Sequence, residues 1–323
     1  MKISLPRCSQ QSVWSYFELP GDRSDSRARE EPLVFVHGTS GTASCFFLQM
    51  EELAKKGYRV ISCQYAACKD VRDWVKSFDR FLDALSITKA HLFGAQLGGF
   101  LVQSYAASHP GRVCSLILCN AFSSTAHFAD ATPWLSLIAY LPGMVVRRLA
   151  LEAFPRWDKI GTDMCQKEAA AFMHHQLSSV PTKDLVSRLT LNCTANSVPS
   201  VLPTDQKRIT LLHVADKTHI PEALTQDVKK RYPRARVAEL KSGGDFPYLS
   251  RPDDVTLHIV VHLRAAGVFP QAHLTTRHDK VTHNGVGAGA VGGSVSSRCG
   301  CLSDEERAAR KRKQMEWKNP FAD

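Results

Sequence analysis

The stretch Phe93-Gly94-Ala95-Gln96-Leu97-Gly98-Gly99 constrains this chain more than any other. An apolar run, Lys89 to Phe93, leads in, and a helical pattern, Leu97 to Ser108, leads out. Small residues flank such a corner because the strand turns into the helix too sharply for ordinary side chains to fit. The apex side chain is then pushed out above the strand ends, at the first turn of the helix. In enzymes built on this corner the apex is a Ser, Cys or Asp that attacks an acyl carbon. Here the apex is Gln96, a neutral amide with no oxygen or sulfur that a neighbouring base can activate.

Short apolar runs alternate with helical patterns on both sides of the corner. Residues 13 to 19, Pro32 to His37, Tyr58 to Tyr65, Lys89 to Phe93, Arg112 to Cys119, Ile209 to Val214 and Ala235 to Leu240 read as strands. Phe46 to Lys56, Val71 to Leu85, Pro221 to Tyr232 and Pro252 to about Ala265 read as helices. In the second of these, Val71, Trp74, Val75, Phe78, Phe81, Leu82 and Leu85 share one face. The alternation predicts an α/β domain with a mostly parallel sheet flanked by helices. The pattern changes between Asn120 and Arg208. Trp134 to Phe154, broken at Leu141-Pro142-Gly143, then Lys167 to His175 and Thr182 to Leu191, are helical and no strand interrupts them. We read this as a helical cap, about residues 121–205, inserted over the C-terminal edge of the sheet.

The remaining bulk properties narrow the class. A chain of 323 residues, 44% of them hydrophobic, is ample for one sizeable core, assigned here to residues 1–268. Residues 269–323 change composition: His278 to Cys301 is rich in Gly, Ser, Val and His and reads as disordered, and Arg310-Lys311-Arg312-Lys313 is strongly basic. The formal net charge of +10 hints at an anionic partner. Part of that excess sits in the tail, where it suits an anionic surface such as a membrane, a nuclear address or simply solvent; no nucleic acid is expected for the folded domain. No apolar run is long enough to span a bilayer, and the first residues lack the apolar stretch of a secretory signal. Ten cysteines are spread thinly, several in strand-like runs, which fits free buried thiols in a reducing, cytoplasmic compartment.

The chemical machinery is read from three loops. His37-Gly38-Thr39-Ser40-Gly41 follows an early strand, where an oxyanion loop belongs; Gly38 and Thr39 there, with Leu97 after the apex, are its candidate remnant. An acid is expected beyond the penultimate strand, and Asp216 stands there. A base is expected after the last strand, in a context close to Gly-His-Phe-Pro; the chain has Gly244-Asp245-Phe246-Pro247. A carboxylate of ordinary acidity is a poor acceptor of a hydroxyl proton at neutral pH. A hydrogen bond from Gln96 to Asp216 or Asp245 is expected as a structural substitute. His213 reads as a core or rim side chain, and His219 flanks the acid loop without occupying the base position. No cofactor and no metal site is expected: His174 and His175 point apart on a helix, and Cys299-Gly300-Cys301 is too closely spaced for half of a structural zinc site.

The corner resembles the nucleophile elbow of the α/β-hydrolase fold, which is the fold expected here. Several blocks resemble the maspardin family within that fold: Lys56-Gly57-Tyr58-Arg59-Val60-Ile61, His91 to Leu101, Ser115 to Asn120, Ser187-Arg188-Leu189-Thr190-Leu191-Asn192-Cys193, and Gly243 to Leu249. The last two discriminate, because the elbow is shared by a large superfamily. The resemblance runs from about Val13 to about Leu263. It implies a non-catalytic protein of the cytosol and of endosomal and trans-Golgi membranes that acts by binding another protein. That family keeps a Ser at the elbow and lacks the His; this chain lacks both. The expected function is therefore protein binding through the cap and an apolar cleft. Two alternatives stand beside it. One is ester hydrolysis without a serine, by water activated at Asp216 or Asp245 or by Cys119. The other is sensing of an apolar ligand in the old cleft.

Overall fold

The computed structural model describes residues 2–5, 12–21, 30–154, 161, 163–199, 205–270 and 309. The tail reading for residues 271–323 thus falls, apart from one position, outside the described residues.

Among the described residues eight strands form one sheet: β1 (Lys2–Leu5), β2 (Ser12–Leu19), β3 (Leu33–Val36), β4 (Val60–Gln64), β5 (Ala90–Ala95), β6 (Val113–Cys119), β7 (Ile209–Val214) and β8 (Arg236–Leu240). Their order is β1-β2-β4-β3-β5-β6-β7-β8. β1 and β2 run antiparallel to their neighbours and the other six strands are parallel. The sheet is thus the mostly parallel one that the alternating pattern predicts. β1 was not foreseen, because Lys2-Ile3-Ser4-Leu5 is too short to show a period.

The helices are α1 (Phe47–Lys55), α2 (Val71–Ala84), α3 (Leu97–Ser108), α4 (Ala126–Ala131), α5 (Gly143–Glu152), α6 (Met164–Ser179), α7 (Thr182–Cys193), α8 (Glu222–Arg231), α9 (Pro247–Ser250) and α10 (Pro252–Ala265). Four of them, with a 3-10 segment over Pro133–Tyr140, lie between β6 and β7. Capping sets several starts. Asp70 accepts from the Asp73 amide at 2.8 Å and opens α2, while Asp163 accepts from the Cys165 and Gln166 amides and opens α6.

Alternation along the strands divides the core in two. On one face Leu92, Leu116 and Leu118 pack with Phe100 and Tyr105 of α3 and with the aromatic stripe of α2. Trp14 of β2 stacks on Phe81 with centroids 4.7 Å apart, and its Nε1 donates to Ser77 Oγ at 2.8 Å. On the other face Phe93, Ile117 and Phe35 pack with α1, α10 and with Val146, Met173, Leu177 and Leu185 of the inserted helices. The insertion is therefore continuous with this second core. His175 is exposed, whereas its neighbour His174 is half-buried and meets the Phe154 ring edge-on at 5.6 Å.

Two consequences can be measured. A Cβ on Gly98 would stand 2.2 Å from the Val36 carbonyl oxygen and 2.7 Å from that of His37. Both are backbone atoms with nowhere to go, so Gly98→Ala should cost about 3 kcal/mol or more in urea denaturation. Burial holds His213 at about 4 and His262 at about 3, well below the ordinary 6.5. The unfolded chain then binds protons below pH 6.5 that the folded chain refuses, so stability falls as the pH drops through that window. Denaturation midpoints near pH 7 and pH 5 should show the loss, and His213→Leu should shrink it by about 2 kcal/mol.

Candidate functional site

The corner predicted from Gly94 to Gly99 is formed by the end of β5 and the start of α3. Gln96 adopts φ 51° and ψ −117°, a conformation that strains a residue with a side chain by about 1–3 kcal/mol. Neighbouring glycines make room for it. A Cβ on Gly94 would meet the Gly98 oxygen at 2.6 Å, and one on Gly99 would meet Ala121 Cβ at 2.3 Å. The Gln96 amide nitrogen donates to the Cys119 oxygen at 3.0 Å, which ties the apex to β6.

The Gln96 side chain does not bond either carboxylate. Its Nε2 donates to the main-chain oxygen of Asp245 at 3.2 Å. The expected hydrogen bond from Gln96 to Asp245 is therefore present, made to the main chain while the two carboxylates are engaged elsewhere. Its Oε1 leans toward the loop after β3, 2.8 Å from where a Cβ on Gly38 would stand. Gln96 is therefore tied by its side chain to the loop after β8 and lies close against the loop after β3.

Asp216 lies just past β7 and turns into the loop after β8. It accepts from the Gly243 amide at 3.0 Å, from the Gly244 amide at 3.1 Å and from Gln166 Nε2 of α6 at 2.7 Å. Asn120, itself at φ 43°, holds the same loop by donating from Nδ2 to the Gly244 oxygen at 3.0 Å. In this arrangement Asp216 is a structural acceptor for two glycines at positive φ, 156° and 62°, a backbone open to glycine without a Cβ penalty.

Asp245 faces the other way. One carboxylate oxygen accepts from the His219 amide at 2.7 Å, and the other lies 2.9 Å from His219 Nδ1. The hydrogen bond to Asp245 raises the His219 pKa above 6.5, against an opposing effect of partial burial. Relative to the expected layout, the histidine and its carboxylate have changed loops: the His lies after β7 and the acid after β8. The sequence places His219 beside the acid loop but gives it no role, because it stands at neither conventional position. The only available signal was its spacing of three residues from Asp216.

Cys119 is removed as a nucleophile. It is fully buried at the end of β6, and burial drives its thiol far above the ordinary range.

The loop holding Gly38 and Thr39 is fastened from the inserted helices. Arg188 of α7 is buried and donates from Nη1 to the carbonyl oxygens of Gly41 at 2.7 Å and Thr39 at 3.2 Å. Its guanidinium lies 5.4 Å from the Tyr65 ring centroid, and Tyr65 stacks on His37 at 4.4 Å. Asp184, one turn earlier on α7, supplies the opposing charge. Leu97, on the far side of the corner, is buried in the first core.

A cleft of about 860 Å³ opens between the inserted helices and the loops after β7 and β8. Phe154, Ala169, Ala170 and Phe246 give it an apolar wall, and Asp163, Asp216, Lys217, His219 and Asp245 a polar one. The expectation of an apolar cleft is thus only half met. Gln96 is not among its described lining residues.

Comparison with known proteins agrees with this geometry. The model of the alpha/beta hydrolase family matches residues 33–257. Maspardin of Danio rerio is 37% identical over 255 residues, which is 78% of each chain. Maspardin of Homo sapiens is 37% identical over 254 residues, covering 78% of this chain and 79% of the relative. The chain belongs to the maspardin family. Among solved structures, a carboxylesterase from Nitrososphaera gargenis superimposes with a TM-score of 0.65 at 19% identity, over 83% of this chain and 99% of that one. A thermophilic esterase from Thermogutta terrifontis gives 0.66 at 16%, over the same shares. At that identity the likeness speaks for the fold alone. The Arg188 to Cys193 block, which resembles the maspardin family, is also the block whose Arg188 fastens the loop after β3 to the inserted helices.

The apex strain makes a simple prediction. Gln96→Gly removes a Cβ from an unfavourable backbone and should raise unfolding stability by about 1 kcal/mol, whereas Gln96→Val should lower it. Thermal and urea denaturation of the three proteins decide this.

Proposed function

We propose that this maspardin-family chain acts as an intracellular protein-binding adaptor and performs no acyl transfer. One observation carries the reading: an α/β-hydrolase corner is present in full, with an amide at its apex and a carboxylate at the position of its base. Acyl transfer needs a nucleophile whose proton can be taken. Gln96 has no such proton, and Asp245 spends both oxygens on His219. Asp216 is likewise spent on main-chain amides, which locks the cleft floor in one shape. A rigid, mixed apolar and polar cleft suits recognition of a peptide segment more than turnover. The reading includes a cytosolic location, with peripheral contact to endosomal or trans-Golgi membranes, and a partner bound over the cleft.

The wild-type chain should hydrolyse short acyl esters no faster than buffer. Gln96→Ser alone should stay inactive, because the serine has no base. The double variant Gln96→Ser/Asp245→His should exceed the single variant by about 100-fold, the usual contribution of a positioned base. Turnover by the wild type that Gln96→Ala abolishes would refute the reading. Proximity labelling with wild type and Lys217→Glu tests the binding side: a partner recovered only by wild type places recognition at the cleft.

Serine-independent ester hydrolysis keeps one observation in its favour, the His219–Asp245 pair on the cleft wall. A His held by a carboxylate can activate water. Esterase activity lost in His219→Gln and retained in Gln96→Ala would select that reading.

A further inference from the structure

The N-terminal edge of the parallel strands, opposite the elbow, carries a second cluster of reactive side chains. Glu31 precedes β3, His91 lies on β5 and Cys114 lies on β6. One ligand atom from each, a carboxylate oxygen, an imidazole nitrogen and the thiol sulfur, lies within 4.8 Å of the other two. Glu31 Oε2 is 3.9 Å from His91 Nε2. We propose that these three residues bind a divalent zinc ion that staples the lower edge of the sheet.

Three independent features lead to this. The first is how the sheet brings the ligands together. β3 and β5 pair with Leu33 opposite His91, and the His91 amide donates to the Pro32 oxygen at 3.0 Å, so Glu31 arrives beside His91. Between β5 and β6 the register slips: Ala90 faces Val113 but His91 faces Ser115. Cys114 is the extra residue of that slip. A bulge of this kind re-aims a side chain that regular alternation would send elsewhere. Without it Cys114 would lie on the opposite face from His91.

The second is the donor set. Thiolate, imidazole and carboxylate are the three donor types that zinc takes from proteins, with bonds of about 2.0–2.3 Å. Tetrahedral geometry then places ligand atoms about 3.3–3.8 Å apart. The separation of 3.9 Å between Glu31 and His91 is already close to that. Hard, oxygen-seeking ions such as magnesium and calcium do not select a thiol. A dication held by one thiolate and one carboxylate is electrically neutral, which suits a place where His91 and Cys114 are both buried. Glu31 keeps 24% of its side chain exposed, so water can reach the fourth position.

The third is the support behind the imidazole. His91 Nδ1 lies 2.6 Å from Ser115 Oγ, Ser115 Oγ lies 2.7 Å from His262 Nε2, and His262 Nδ1 lies 2.7 Å from Thr210 Oγ1. Run in one direction, Nδ1–H of His91 donates to Ser115, which donates to His262, which donates to Thr210. That direction leaves the His91 lone pair on Nε2, the nitrogen that faces Glu31. A second nitrogen anchored in this way is what fixes the tautomer and aim of a metal-binding histidine.

The three ligands stand sixty and twenty-three residues apart in sequence and match no linear metal motif, which is why sequence reading expected none. The site is also remote from the cleft, so it stands or falls separately from the adaptor reading.

The test uses the purified full chain, stripped with a chelator and titrated with Zn²⁺ against a chromophoric competitor. One equivalent should bind tightly, and Zn²⁺ but not Mg²⁺ should raise the melting temperature by several degrees. Co²⁺ in its place should show a thiolate-to-cobalt charge-transfer band in the near ultraviolet. Cys114→Ser should lose the band and the equivalent, while Cys299→Ser/Cys301→Ser should keep both. Glu31→Gln, at a partly exposed position that tolerates the change, should weaken binding at least about tenfold, and Ser115→Ala should do the same through the relay. The absence of a tight equivalent in the full chain would overturn the proposal. So would a band that survives in Cys114→Ser or an affinity unmoved in Glu31→Gln.

Discussion

Helix α3 meets the end of β3 with no room for a single methyl group. A Cβ on Gly98 would lie 2.2 Å from the Val36 oxygen, so the helix axis and the strand end are fixed to within a fraction of an ångström. This contact sets the whole upper edge of the sheet. It forces the turn at residue 96 into a conformation few side chains tolerate, and it brings the loop after β3 against the apex. In a hydrolase the strain presents a nucleophile. Here the same strain presents an amide, which donates to the main chain of the loop after β8.

That substitution changes what the neighbouring carboxylates are for. With no hydroxyl to activate, Asp216 and Asp245 turn to loop building. Asp216 gathers two amides from a glycine pair and a cap glutamine; Asp245 gathers His219. Each is a charged acceptor with matched donors, the condition under which a partly buried carboxylate is tolerated. The result is a cleft floor cross-braced by both carboxylates.

A second brace ties the inserted helices to the sheet. Arg188 carries a buried charge to the carbonyl oxygens of the loop after β3, and its neighbour Ser187 both donates to the Cys68 oxygen and accepts from its amide. Breaking one partner of such a buried charged contact costs more than any exposed ion pair, because the remaining group is left without solvent. The inserted helices and the loop after β3 are therefore braced to one another.

The sequence by itself determined the α/β class, the order of most strands and helices, and the identity of the three loops. Those features are local: the period of apolar residues, the glycines at Gly94, Gly98 and Gly99, and the position of each loop after its strand. It also showed that residue 96 has no attacking atom, since that is a property of one side chain. Tertiary structure alone decided which way each carboxylate turned, that His219 rather than Asp216 pairs with Asp245, and that Glu31, His91 and Cys114 meet at one point. Such facts depend on loop backbone angles and on a one-residue slip between β5 and β6. They are set by packing between segments far apart in the chain, where no local pattern carries the information.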